Sequence, residues 1–220
     1  VFTPNVDHVV LAEEDPRMRR AYARADLSLV DGMPLLWASR LLRAPLPEKI
    51  SGSDFVMPLL ERAASRGWRV HLFGAGPGVA EKAREKLAEL LPRLNIVGVD
   101  APRVGTEDSA ERIEEILAPI RRVNPQIVLV ALGAPKQEIW IDQVRDALTP
   151  AVLLGVGASL DFVAGTIPRA PRWMSRTGLE WLYRLTREPG RLWRRYLVRD
   201  PRFLLVLARE MTGRRARRAG

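Results

Sequence analysis

Short apolar runs alternate with amphipathic stretches along most of this chain. Residues 27–30, 69–73, 94–99, 127–132 and 151–156 are runs of strand length, bounded by Gly, Pro or Asp. Residues 15–25, 33–42, 107 to about 123 and about 136–148 carry helical patterns. So do the stretches from the 49–54 loop to about 65 and from the 74–78 turn to about 91. Ser51 or Ser53 is placed to cap the first of these, and Asn124-Pro125 to stop the helix before 127. Strand alternating with helix predicts an α/β fold with a mainly parallel sheet covered on both faces. After Pro171 the strand signals stop. Residues 179–187, 191–198 and 201–211 read as short Arg-rich helices with Leu, Trp, Tyr and Phe between the charges.

The punctuation between these elements carries the candidate chemistry. In open α/β sheets ligands bind outside the carboxyl ends of the strands. Gly133-Ala134-Pro135-Lys136-Gln137-Glu138 follows the run 127–132, so a buried strand there ends in a sharp turn that delivers polar groups to a helix start. Gly74-Ala75-Gly76-Pro77-Gly78 follows 69–73 and places Gly74 and Gly76 where a helix N-terminus suits a phosphate; the alternative is a tight turn with no ligand. It is not a dinucleotide fingerprint, because Val79 stands at the third glycine position. Asp31-Gly32 closes the run 27–30, and Asp31 is either a general base at a sheet edge or a turn-capping carboxylate. Thr3-Pro4-Asn5 offers a hydroxyl and an amide to a sugar, or a loop and helix cap. Asp161, after Val156-Gly157-Ala158, accepts hydrogen bonds from a ribose or base, or caps the next element.

Composition narrows the classes. The 220 residues suffice for one well-packed domain, or a domain plus an appendage. There is no Cys, which removes disulfides and thiol catalysis, and His8 and His71 are too far apart in sequence to predict a His-based metal site. No apolar stretch reaches the roughly 20 residues of a membrane span. The chain starts at Val1 in motif-like sequence, from which a trimmed N-terminus lacking a first strand is expected. Charge is uneven. Residues 169–220 hold 15 Arg, no Lys and 4 acidic side chains, a net of +11 against +9 for the whole chain. The basic character therefore belongs to the tail. The tail fits nucleic acid, an anionic membrane surface, or a lid whose arginines grip a diphosphate.

Set in order, Thr3-Pro4-Asn5, residues 25–32, Ser51-Gly52-Ser53-Asp54, residues 72–78, 133–138 and 155–161, Arg169-Ala170-Pro171, residues 180–184, Glu188-Pro189 and Arg191 resemble the motifs of the WecG/TagA/CpsF family of bacterial glycosyltransferases over nearly the whole chain. The resemblance implies an inverting, metal-independent transfer of a sugar from a UDP-sugar to a polyprenyl-diphosphate-linked saccharide. N-acetylmannosamine, its uronic acid, glucuronic acid and glucose are all compatible donors. It implies a peripheral enzyme on the cytoplasmic face of the bacterial plasma membrane, serving cell-surface polysaccharide synthesis, with no cofactor and with self-association compatible. It further implies Asp31 as catalytic base, Thr3 and Asn5 at the sugar, Gln137 at the donor, Asp161 and the Gly74–Gly76 turn at the nucleotide, and Arg184, Arg191 and Arg194 at the diphosphate. Lys49 stands where the family usually has Arg, keeping the charge but losing the bidentate fork.

The chemistry of the residues agrees. Deprotonating an acceptor hydroxyl needs a base, and a departing diphosphate needs cations. With no Asp-x-Asp pair and no His cluster, arginines of the tail are the available cations. The division expected is an α/β catalytic domain over 1–170, with a base-bearing part to about 67 and a Rossmann-like nucleotide part over 68–170, followed by a membrane-docking appendage over 171–220. Two other classes remain at this level. A nucleotide-dependent oxidoreductase would use Asp100 as ribose partner, and a nucleic-acid-binding protein would rest on the tail alone, whereas the glycosyltransferase reading expects no nucleic-acid partner.

Overall fold

A computed structural model describes residues 1–219; the side chains of Arg172, Ser175, Arg176, Arg191 and residues 214–219 lie outside that description. The elements run α1 (Val6–Glu14), α2 (Pro16–Ala23), α3 (Met33–Leu41), α4 (Gly52–Arg66), β1 (Arg69–Gly74), α5 (Val79–Leu90), β2 (Asn95–Asp100), α6 (Ala110–Val123), β3 (Ile127–Ala131), α7 (Lys136–Val144), β4 (Val152–Gly155) and α8 (Ser159–Ala164). The C-terminal segment adds α9 (Arg172–Thr177), α10 (Glu180–Arg187), α11 (Pro189–Arg194), a π-helical turn (Arg195–Arg199), a 3₁₀ turn (Asp200–Arg202) and α12 (Phe203–Ala219). The chain forms two compact units, each discontinuous in sequence. The first holds residues 1–3, 17–28 and 52–168; the second holds 4–16, 29–51 and 169–220.

The first unit is a parallel α/β layer structure, as the alternation predicts. Its strands lie in the order β2-β1-β3-β4, all parallel. Successive side chains of a strand point to opposite faces, and here both faces are apolar. Phe73, Val128, Val130 and Leu153 pack with Ile116, Leu117 and Ile120 of α6 and Trp140, Ile141 and Val144 of α7. Val70, Leu72, Leu129 and Leu154 pack with Val56, Leu60 and Ala63 of α4, Ala83 and Leu87 of α5, and Leu160 of α8. Burial on both sides explains why the strands read as continuous apolar runs. Phe73 and Trp140 stack with ring centroids 4.3 Å apart. Asp142 on α7 is 2% exposed and is paired by Arg20 and Arg24, each at 2.8 Å, which fastens α2 to α7.

Residues 27–30 do not form the expected strand. Ser28 makes a single parallel bridge to Phe2, and Leu27 is half exposed. The segment's main-chain bonds are isolated ones, Phe2 N–H to the Leu27 carbonyl at 3.0 Å and Ile50 N–H to the Val30 carbonyl at 2.8 Å, too few for a continuous ladder.

In the second unit, α1, α3 and α12 close on a small core of Val10, Ala38 and Phe203. Arg202 reaches Glu14 at 2.5 Å, tying the segment before α12 to α1. A Cβ on Gly178 would lie 3.2 Å from Met33 Cβ, and Gly178 has φ +78, so only glycine lets the start of α10 approach α3 this closely.

The strand order reverses between β1 and β3, the kind of position at which open α/β sheets bind ligands. Gly74 sits at that point with φ +88, and a Cβ there would lie 2.8 Å from Leu132 Cδ2 and 3.0 Å from the Ala131 carbonyl oxygen. The Gly74→Ala variant is expected to lose about 1–3 kcal/mol of stability from backbone strain and overpacking together. Urea unfolding against wild type measures the loss; an unchanged midpoint would contradict it.

Candidate active site

Two hydrogen bonds between main-chain groups assemble the site in the second unit. The Asp31 N–H donates to the Pro4 carbonyl at 2.8 Å, and the Ile50 N–H donates to the Val30 carbonyl at 2.8 Å. Three segments remote in sequence thus run side by side and place Asn5, Asp31 and Lys49 together. Asn5 caps α1, its side-chain oxygen accepting from the His8 N–H at 3.4 Å. Gly32, at φ +125, turns the chain from Asp31 into α3.

The C-terminal segment supplies the rest. Glu180, Trp181 and Arg184 come from α10, where 180 and 184 share a helix face, and Arg195 and Tyr196 come from the π-helical turn. With Asn5, Asp31 and Lys49 these line a pocket of roughly 120 Å³. Trp181 and Tyr196 pack edge to face, 5.9 Å between centroids. Lys49 Nζ lies 3.8 Å from Glu180 Oε2. Arg184 Nε is buried with no hydrogen-bond partner among the described residues.

Asp31 keeps part of its surface open, but the surrounding protein removes most of its water, and this desolvation is the largest cause raising its pKa to about 7. Glu180 raises it further, while Lys49, Arg184 and Arg195 oppose the rise. A carboxylate balanced near neutrality can accept a proton from a hydroxyl and be regenerated, which is what a general base requires.

Beside the pocket lies a charged cluster that nothing in the linear sequence marks. Asp7, 2% exposed, has Arg195 Nε 3.2 Å from one carboxylate oxygen and Arg199 Nε against the other. Arg195 Nη2 also donates to Asn5 Oδ1 at 3.1 Å. Burial raises the Asp200 pKa to about 6, with Arg195 opposing and Asp7 adding to the rise. Burial, then Arg195 and Arg199, lower the His8 pKa to about 3, so His8 is neutral at physiological pH.

The other site residues expected from sequence fall elsewhere. Thr3 belongs to the first unit, 7% exposed, its hydroxyl 3.5 Å from the Gly155 carbonyl. Gln137, expected in direct contact with the donor, is 2% exposed; its Nε2 donates to Glu138 Oε1 and its Oε1 accepts from the Gly157 N–H, both at 2.8 Å. The amide therefore joins the turn after β4 to the start of α7, and a Cβ on Gly155 would sit 2.5 Å from its Nε2. Gly74 and Gly76 stand in the turn after β1 in the first unit, where Ala75 takes φ +67 and its N–H bonds the Ala131 carbonyl at 2.7 Å. Asp161 lies in the first turn of α8, with Thr166 donating to its main-chain oxygen at 3.1 Å. Arg194 is exposed and stacks over Trp193 at 5.3 Å, and the Arg191 side chain lies outside the described residues.

Arg195, Glu180 and Tyr196 are pocket residues that sequence reasoning missed. The Arg194-Arg195 pair was visible, but neighbours on a helix point about 100° apart, and the π-helical turn beginning at Arg195 shifts the phase again. A larger cavity of about 280 Å³ lies in the first unit, lined by Val1, Phe2, Ala25 and residues 149–153. Its charged groups are already matched, Arg145 with Asp26 at 3.1 Å and Asp142 with Arg20 and Arg24.

Residues 1–217 match the profile of the Glycosyl transferase WecG/TagA/CpsF family. Two relatives are each named N-acetylglucosaminyldiphosphoundecaprenol N-acetyl-beta-D-mannosaminyltransferase. One, from Bacillus spizizenii strain W23, is 34% identical over 197 residues, covering 90% of this chain and 74% of the relative. The other, from Bacillus subtilis strain 168, is 32% identical over 210 residues, covering 96% and 79%.

The electrostatics make a signed prediction. In a carboxyl ¹³C NMR titration Asp31 should ionise near pH 7. Glu180→Gln removes a like charge and should move the transition to lower pH, while Lys49→Gln removes a cation and should move it higher. Ionisation in the ordinary carboxylate range would overturn this account of the pocket.

Proposed function

The chain belongs to the WecG/TagA/CpsF family of glycosyl transferases, and from that premise we propose that it moves N-acetylmannosamine from a UDP-sugar to a polyprenyl-diphosphate-linked N-acetylglucosamine, with inversion at the anomeric carbon. The observation that carries the reading is Asp31, a carboxylate with its pKa raised to about 7 in a pocket that also holds Lys49 and Arg184. The names of the two relatives support the sugar and the acceptor.

In the proposed reaction Asp31 takes the proton of the acceptor hydroxyl as that oxygen attacks the anomeric carbon. The bond from that carbon to the diphosphate oxygen breaks, and UDP leaves with the electron pair. The leaving diphosphate gathers negative charge, which cations must stabilise. Arg184 suits this role: its buried Nε–H lacks a partner, a state costing about 1–3 kcal/mol that an anion in the pocket would relieve. Lys49 adds a charge without a fork. The nucleotide roles of Gly74, Gly76 and Asp161 rest on their place at strand-to-helix turns of the first unit, the edge at which open α/β sheets bind ligands. The reading assigns no role to a metal ion.

Asp31→Asn should abolish transfer while UDP still binds, and wild-type activity should rise with pH through about 7 as Asp31 ionises. Turnover of the variant at the wild-type rate would remove Asp31 as base. Activity is expected to survive EDTA; loss restored by Mg²⁺ or Mn²⁺ would contradict a metal-free mechanism.

The proposal places the enzyme on the inner face of the plasma membrane. No helix among the described residues is long and apolar enough to cross a membrane. The C-terminal segment instead exposes Trp193, Leu197, Leu204 and Leu205 among arginines, a composition that lies in an anionic interface. Each basic residue near such a surface contributes about 1 kcal/mol. Leu204→Glu with Leu205→Glu should reduce sedimentation with phosphatidylglycerol vesicles while the fold, followed by circular dichroism, persists. Unchanged sedimentation would refute membrane docking through this face.

A further inference from the structure

We infer that Arg195 is a diphosphate-binding residue and that Asp7 and Asn5 are the positioning residues that hold it in place. The inference deepens the glycosyltransferase reading and rests on it for the identity of the substrates, though not for the geometry.

A guanidinium that binds an oxyanion well is one whose orientation is set beforehand, so that little rotamer entropy is lost on binding. Arg195 meets that condition from two directions. Its Nε lies 3.2 Å from the Asp7 carboxylate, a charge pair without hydrogen-bond geometry, and its Nη2 donates to Asn5 Oδ1 at 3.1 Å. Neither contact engages Nη1. The side chain is 21% exposed and lines the same pocket as Asp31, Lys49 and Arg184.

Asp7 is too deeply buried to meet a substrate, being 2% exposed. A carboxylate so far from water is retained only if it is matched, and it is matched by the two arginines of the π-helical turn. The turn then cannot rotate without stranding that charge. Asn5 is held in its own geometry by its second duty as the cap of α1. The pocket side of the turn is also cationic in sum: Lys49, Arg184 and Arg195 face Asp31 and Glu180. A diphosphate fits that balance, whereas a neutral sugar hydroxyl has no need of it.

The full-length chain is titrated with inorganic diphosphate by calorimetry, and KM is measured separately for the UDP-sugar and for the lipid-linked acceptor. Arg195→Ala should weaken diphosphate binding about 10- to 100-fold, as expected for lost charge-assisted hydrogen bonds. The KM of whichever substrate places its diphosphate there should rise by a similar factor, which separates donor from acceptor. Guanidinium added well below denaturing concentrations should restore part of the Arg195→Ala activity, and Arg195→Lys should recover less than wild type because the fork is absent. Asp7→Asn should lower diphosphate affinity about tenfold and should not respond to added guanidinium, since its Arg195 is present but no longer oriented. Unchanged diphosphate affinity and unchanged KM values in Arg195→Ala would overturn the binding role. Loss in Arg195→Ala with wild-type affinity in Asp7→Asn would overturn the positioning role. If wild type binds diphosphate and Arg195→Ala does not, yet no UDP-sugar is turned over, the donor reading fails while Arg195 stands.

Discussion

A carboxylate taken out of water must be matched by positive charge, and within each unit of this protein arginines remote in sequence supply it. Asp142 in the first unit is matched by Arg20 and Arg24, and Asp7 in the second by Arg195 and Arg199. Removing either partner of such a pair costs more than the pair contributes, because the charge left behind is stranded in low dielectric. The pairs therefore act chiefly as constraints on arrangement. They fix which segments lie together: residues 17–28 with α7, and α1 with the π-helical turn. Closing chain loops of this length costs little more than closing short ones, since the entropy grows only with the logarithm of length.

Asp31 shows what happens when the match is incomplete. Lys49, Arg184 and Arg195 oppose the effect of burial without cancelling it, and Glu180 works against them. The same desolvation that Asp7 meets with two arginines is left partly uncompensated at Asp31 and appears as a raised pKa. Two desolvated carboxylates thus differ here in how fully their charge is answered, and both draw on Arg195.

The first unit solves a different problem. A sheet buried on both faces delivers all its strand ends to one edge, and the main chain there must turn at once. Gly74, Gly133 and Gly157 all take positive φ at that edge, a region that costs other residues about 1–2 kcal/mol. Gln137 then spends both ends of its amide joining two of these turns. These two bonds satisfy the amide inside the protein, which accounts for a glutamine buried at 2% in the first turn of α7.

What the sequence determined by itself was whatever leaves a contiguous or periodic trace. Apolar runs at 69–73, 94–99, 127–132 and 151–156 foretold four parallel strands with ends shifted by about a residue, because helices cover both faces of the sheet and bury β1, β3 and most of β4. The ordered motifs foretold the family, and the position of Asp31 at a chain reversal made it a candidate base. The run at 27–30 makes only isolated main-chain bonds, because apolar content alone does not supply a continuous ladder. Only the tertiary structure decided that 4–16 and 29–51 belong with 169–220, that Arg195 lines the pocket while Arg194 faces out, and that Asp7 holds it there. The reason is physical: a charge pair between residues 7 and 195 satisfies no local rule of helix, strand or turn, and becomes visible only once folding has removed the water that would otherwise have satisfied both.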